Sequence, residues 1–163
     1  MAGWDAYMTV EGVTGESLRE GHEGEIELES FSFGGSNISS VGHGKGGGTG
    51  TVALQEFAIT KKTDATSAEL FQMMCDGEHF PTAKVTLYKS GGSAGPLDYL
   101  LYEFDEVYVT SINWSGADGP DPIPHEAVSF AFGKVKITYS EQNKDGTKGG
   151  DHVGSWDVRT RRP

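Results

Sequence analysis

The sequence predicts a mainly β protein: a small antiparallel β-barrel or two-sheet sandwich with one short α-helix and an extended glycine-rich loop. Three observations carry that expectation. Apolar and polar residues alternate along several short runs, which is the period of a half-buried strand. Glycine supplies 24 of the 163 residues and clusters between those runs, where turns and loops belong. Only one stretch combines helical spacing with start and stop residues. A chain of 163 residues suits one domain, so residues 1–163 are read as a single unit.

The elements follow in order. Residues 7–10 alternate weakly and make a first strand. Residues 12–24 are polar and glycine-rich, a loop. Glu25-Ile26-Glu27-Leu28-Glu29 alternates strictly, and Phe31-Ser32-Phe33 continues with the opposite parity. Such a change means a bulge, or a strand whose faces are covered at different points. Residues 34–50 are too dense in glycine for a regular element to be expected, since each glycine costs backbone entropy to order. Such a loop either stays free or orders against a partner. Residues 52–60 are a strand with another parity change, from Val52 and Leu54 to Phe57 and Ile59.

The helix is expected at about 67–76. Thr66-Ser67-Ala68-Glu69 has the form of a capping box, with Thr66 at the N-cap and Glu69 at N3. Gly77 supplies the stop. Leu70, Phe71, Met73, Met74 and Cys75 make it apolar around most of its girth, so cover is expected on more than one side. Beyond it, residues 83–89, 98–114, 127–139 and 155–158 are strands, separated by loops at 90–96, 116–124 and 146–150. Gly133 stands where the parity of its strand changes, at an expected bulge or barrel corner. Several strands carry large apolar residues on both parities. One core does not need them, which predicts an outer surface buried in an oligomer.

Charge and motifs narrow the function. Lys plus Arg is 13 against 24 for Asp plus Glu, a net charge of −11. That balance argues against nucleic acid and against an anionic membrane surface. One cysteine allows no internal disulfide. No apolar run approaches the ~18 residues of a membrane span. Met1-Ala2-Gly3-Trp4-Asp5 lacks a basic and apolar leader, so no secretory signal peptide is expected. Gly42-His43-Gly44-Lys45-Gly46-Gly47 fits G-x-G-x-x-G, but a strand rather than a helix follows, and Lys45 is not followed by Ser or Thr. Cys75 and His79 are separated by the helix stop Gly77 and have no third orienting group, so Cys75 is read as a small buried helix residue. His22, His43, His79, His125 and His152 are scattered and lack zinc-ligand spacing. Asn143-Lys144-Asp145-Gly146 begins like a calcium loop but lacks the closing glutamate, and is read as a solvated turn. The short tail 159–163 holds Arg159, Arg161 and Arg162, either as a solvated end or as a contact to an acidic surface of a neighbouring copy. No catalytic, cofactor-binding or metal-ligating residues are expected, and no enzyme.

The order of several motifs resembles the Hcp family (haemolysin-coregulated protein), tube proteins of the bacterial type VI secretion system. The motifs are Val10-Glu11-Gly12-Val13-Thr14-Gly15-Glu16-Ser17, then His22, Glu25-Ile26-Glu27-Leu28 and Phe31-Ser32-Phe33-Gly34. Many relatives have Trp where this chain has Phe in the last of these. Asp64 ahead of the helix, Gly77-Glu78-His79-Phe80-Pro81, Val85-Thr86-Leu87-Tyr88-Lys89, Glu126-Ala127-Val128-Ser129-Phe130, Tyr139 and Gly154-Ser155-Trp156 complete the pattern, over about 7–158.

The resemblance implies a single tube domain over 1–163, assembling into six-membered rings that stack into a hollow tube inside a contractile sheath. Contraction drives the tube and its spike out of the cell, and small effectors ride in the lumen. The implied partners are other copies of the chain, the spike complex, baseplate and sheath, and small effectors. The implied location is the cytoplasm before firing and the outside or a target cell afterwards. Some relatives carry a C-terminal toxin domain; none is expected here. On this reading Gly42, His43, Gly44, Lys45, Gly46, Gly47 and Gly48 form the ring-stacking loop. Ser32 faces the lumen, opposite Phe31 and Phe33. Leu70, Phe71 and Met74 meet a neighbouring subunit. The same tube chemistry also fits a phage-tail-like contractile injection particle. A third reading is a monomeric β-sandwich that binds sugars or a surface partner through Trp4 or Trp114.

Overall fold

A computed structural model describes residues 3–38, 50–89 and 95–163. Among them are ten strands and one helix: β1 (Trp4–Val10), β2 (Ile26–Leu28), β3 (Ser30–Ser32), β4 (Gly35–Ile38), β5 (Thr51–Leu54), β6 (Phe57–Lys62), α1 (Ser67–Asp76), β7 (His79–Lys89), β8 (Leu97–Ser115), β9 (His125–Gln142) and β10 (Lys148–Asp157). One large antiparallel sheet runs β2-β1-β7-β8-β9-β6-β3, with β10 added on β9. The sheet bends round until it nearly closes. The closure lies in residues 26–32, whose first half pairs with β1 and whose second half pairs with β6. The parity change seen in the sequence is this change of partner at Glu29, whose N–H donates to the Thr60 carbonyl at 2.8 Å.

Inside the barrel, inward residues of β1, β2, β6, β7, β8 and β9 meet. Met8, Ile26, Phe57, Ile59, Val85, Val107 and Val128 are each 1% exposed or less. Phe57 sits at the centre of an aromatic cluster, stacked on Phe31 at 5.8 Å and edge-on to Phe104 at 4.9 Å. Such pairs add about 0.5–1.5 kcal/mol each beyond the area they bury.

The structure corrects several boundaries. Gly35–Ile38 is a strand, not loop: Gly35 pairs with Leu54 and Ile38 with Thr51, forming a two-stranded ribbon apart from the barrel. A Cβ on Gly35 would lie 2.8 Å from Leu54 Cδ2, so this glycine permits close approach rather than disorder. Residues 42–48, the candidate stacking loop, lie outside the described residues. Lys148–Asp157 is one strand, so Gly149 and Gly150 belong to β10 rather than to a loop. The bulge expected at Gly133 falls instead on β8, between Val109 and Ser111. At Gly133 the outer partner of β9 changes, from β6 up to Phe130 to β10 from Lys134. A Cβ there would come within 3.0 Å of Arg159 Nε, so the glycine makes room for that guanidinium.

The helix has the expected span, and Gly77 ends it in the left-handed conformation at φ 68°. The capping box does not form. Thr66 has helical φ and ψ, and its hydroxyl donates to Asp64 Oδ1 at 2.5 Å instead of accepting from the helix. The Asp64 carboxylate also accepts from the Thr66 amide at 2.9 Å. Asp64 takes the capping role instead: while its carboxylate accepts from Thr66, its own N–H donates to Ser67 Oγ at 3.0 Å. Cover of α1 is one-sided among the described residues: Leu70 is buried over the barrel, while Phe71 is 43% exposed and Cys75 is exposed. The reading of Cys75 as buried is therefore corrected.

Candidate assembly surface

The molecule holds a tight polar centre and several large apolar side chains on its exterior, and α1 contributes to both. Lys61 follows Phe57 and Ile59 on the inward parity of β6, and Glu126 precedes Val128 and Phe130 on that of β9. They are direct cross-strand partners. Both side chains are 0% exposed and form an ion pair. Lys61 Nζ also donates to Asp64 Oδ1 at 2.8 Å and Ser67 Oγ at 3.1 Å. Glu126 accepts from Ser67 Oγ at 2.8 Å and Thr63 Oγ1 at 3.2 Å. No buried side-chain nitrogen or oxygen lacks a partner among the described residues. This network ties the start of α1 to the barrel wall. The sequence reading missed it, although two opposite charges in phase with core residues are the signal that reveals it.

Asp64 gives the network a pH dependence. Burial pushes its carboxyl up, but the Lys61 ammonium and the Thr66 hydroxyl and amide outweigh burial and hold it below the ordinary carboxylate value. A depressed folded pKa contributes stability that is complete above the unfolded value of 3.8 and is lost as the pH falls through the folded value. Asp64→Asn is expected to lower stability at pH 7, and its deficit against the parent should shrink below about pH 3.8. Urea unfolding at pH 7 and pH 3 checks this; an equal deficit at both would contradict it.

Outside, large apolar side chains face solvent. Leu18 is 94% exposed, Ile38 79% and Val153 60%. Phe71 of α1 rests on Trp114 of β8 with ring centres 5.9 Å apart, and both are about half exposed. Among the described residues, the outer edge of β10 pairs with no strand, and such an edge is a template for another chain. Ser32 is exposed while Phe31 and Phe33 turn to the aromatic cluster, as the alternation requires. Leu70 is 0% exposed inside its own chain and offers no surface to a neighbour, so only Phe71 and Met74 of the expected helix trio remain for that role.

The other singled-out residues have ordinary partners. His22 stacks on Tyr7 at 4.4 Å and bonds Glu25 at 3.1 Å. His125 bonds Glu29 and His152 bonds Glu141, each at 2.7 Å. His79 packs on Tyr108 at 5.2 Å. Asp145 accepts from the Thr147 amide and hydroxyl and closes the turn before β10. Arg159 finds its acidic partners within the chain, in Asp157 and Glu106, and the tail is a tight turn rather than a free end. No cluster of metal-ligating residues occurs among the described residues.

A nearly closed antiparallel barrel with a projecting two-stranded ribbon and one helix on its wall defines the structural class. Residues 7–139 match the family described as "Type VI secretion system effector, Hcp". Protein hcp1 of Pseudomonas aeruginosa is 35% identical over 156 residues, covering 95% of both chains. A solved type six secretion system protein superposes with a TM-score of 0.90 at 29% identity, over 98% of this chain and 99% of that one. Hcp1 from Salmonella typhimurium gives 0.78 at 28% identity, over 99% of each. The chain belongs to the Hcp family of type VI secretion proteins. Among the described residues no helix is long and apolar enough to cross a membrane.

Proposed function

We propose that this chain is the building unit of a type VI inner tube. Six copies close into a ring, rings stack into a hollow tube, and small effectors travel in its lumen. The observation that carries the reading is apolar surface left over after a complete core has formed, on separate parts of one molecule: Leu18, Ile38, Val153 and the Phe71–Trp114 pair. Family membership supplies the context. The tube would be held in the cytoplasm until a contractile sheath drives it, with its spike, out of the cell.

Within that reading, Phe71 and Met74 meet a neighbouring subunit, Ser32 faces the lumen, and Gly42 to Gly48, between β4 and β5 in the sequence, make the contact between rings. Mass photometry tests the ring. The reading expects about 105 kDa, six times 17.5 kDa, and a stable monomer at all concentrations would contradict it. Gly47→Glu is expected to leave ring mass unchanged and to reduce ring stacking by roughly ten-fold, because each ring would face its neighbour with added like charge. Sedimentation at two salt concentrations checks this; loss of the ring itself would place the loop in the ring rather than between rings.

A further inference from the structure

We propose that neighbouring copies interlock by seating Leu18 of one in a pocket beside the C-terminal turn of the next; this rests on the ring reading above. Leu18 lies in the connection between β1 and β2, and that connection is braced. Gly15 N–H donates to the Gly24 carbonyl at 2.7 Å, Gly24 N–H to Ser17 at 2.9 Å, and Ser17 N–H to Glu25 at 3.1 Å. A Cβ on Gly15 would sit 2.4 Å from the Glu25 carbonyl oxygen, so the neck of the loop is closed tight. Ser17 is buried and Arg19 is tied to Asp5 at 2.5 Å. Leu18 between them is 94% exposed. A leucine held outward on a braced loop has little ordering entropy left to lose on docking. Glu20 and Glu23 beside it are exposed, and Glu20 makes no ion pair among the described residues.

The receiving pocket has a volume of about 440 Å³ and is lined by Val52, Leu54, Trp156, Val158 and Arg161. It forms between β5, with Gly50 just ahead of it, and the turn after β10. That turn is fixed by Asp157 N–H on the Arg162 carbonyl at 2.7 Å and by Arg161 N–H on the Asp157 carbonyl at 2.8 Å. Arg161 is held at φ 56° and makes no ion pair, although every carboxylate side chain of the protein lies among the described residues. An apolar knob beside Glu20, which makes no ion pair among the described residues, thus matches a hollow with a half-apolar lining, edged by the unpaired Arg161 guanidinium. Knob and hole are different surfaces: the strand leading to Leu18 is β1, and β7 and β8 separate it from β9, on which β10 hangs. A contact between unlike surfaces is head-to-tail and makes a ring when its rotation closes.

The test uses the full chain with Cys75→Ser, carrying Leu18→Cys and Val158→Cys together. On mild oxidation, non-reducing gels are expected to show a ladder of covalent oligomers extending past the dimer. Each single cysteine variant is expected to stop at the dimer. Arg161→Glu is expected to raise the concentration needed for assembly by ten-fold or more, and adding Glu20→Arg should restore it. Melting curves of each variant confirm folding. If the parent assembles while the paired cysteines give no ladder and Arg161→Glu assembles like the parent, the interlock is wrong and the ring stands. An intrachain disulfide alone, or a pocket filled by residues 39–49 of the same chain, overturns it in the same way. A parent that stays monomeric overturns both.

Discussion

Glu126→Ala is expected to destabilise the fold by about 3–5 kcal/mol, because breaking a buried pair leaves the other charge uncompensated. Lys61 and Glu126 are both 0% exposed, so water cannot replace the lost partner. Ser67 and Thr63 would also lose their acceptor. At this chain length, that energy corresponds to a fall in Tm of roughly 6–20 °C. Glu126→Gln keeps one acceptor oxygen for the two hydroxyls, which now bond different carboxylate oxygens, and should cost less than alanine. Lys61→Met strands Glu126 and should approach the alanine value. Because assembly raises apparent stability, all variants must be compared at one protein concentration. A change within about 1 kcal/mol for Glu126→Ala would mean that the pair is not buried as described.

Phe57→Ala is the second large effect, at about 3–5 kcal/mol. The ring is 1% exposed and touches Phe31, Phe33, Tyr102 and Phe104. Those neighbours come from strands β3 and β8 and from the link to β4, so the barrel wall cannot collapse onto the gap without moving several strands. Phe57→Leu should cost less than half as much, since most of the volume is kept. Calorimetry of the three proteins checks the order; equal Tm values for parent and alanine variant would place Phe57 outside the core.

Which elements the sequence revealed has a physical cause. Alternation exposes a strand that is buried on one face only. Residues 25–29 and 127–139 are of that kind and fall within or around β2 and β9. β4 is exposed at all its positions and β10 at most of its own, so neither carries alternation, and glycine made β4 and the start of β10 look like loop, while the end of β10 is the strand expected at 155–158. The helix was legible because its stop residue and its apolar spacing are local. Its cap was not, because Asp64 rather than Thr66 takes the capping role, Thr66 itself having helical φ and ψ. The candidate surface was half legible. An excess of apolar residues was visible, but spacing alone could not tell Leu70, which is buried in the barrel, from Phe71, which faces out. Leu18 lies in a polar loop, where no periodic pattern marks it.

This barrel is expected to close with its own copies into an open ring. Negative-stain electron microscopy of the purified protein at low and moderate salt tests it most directly. Rings with a central hole are expected, single or stacked, with stacking that shifts with salt because each subunit carries a net charge of −11. Compact single particles at every concentration and both salts would contradict it.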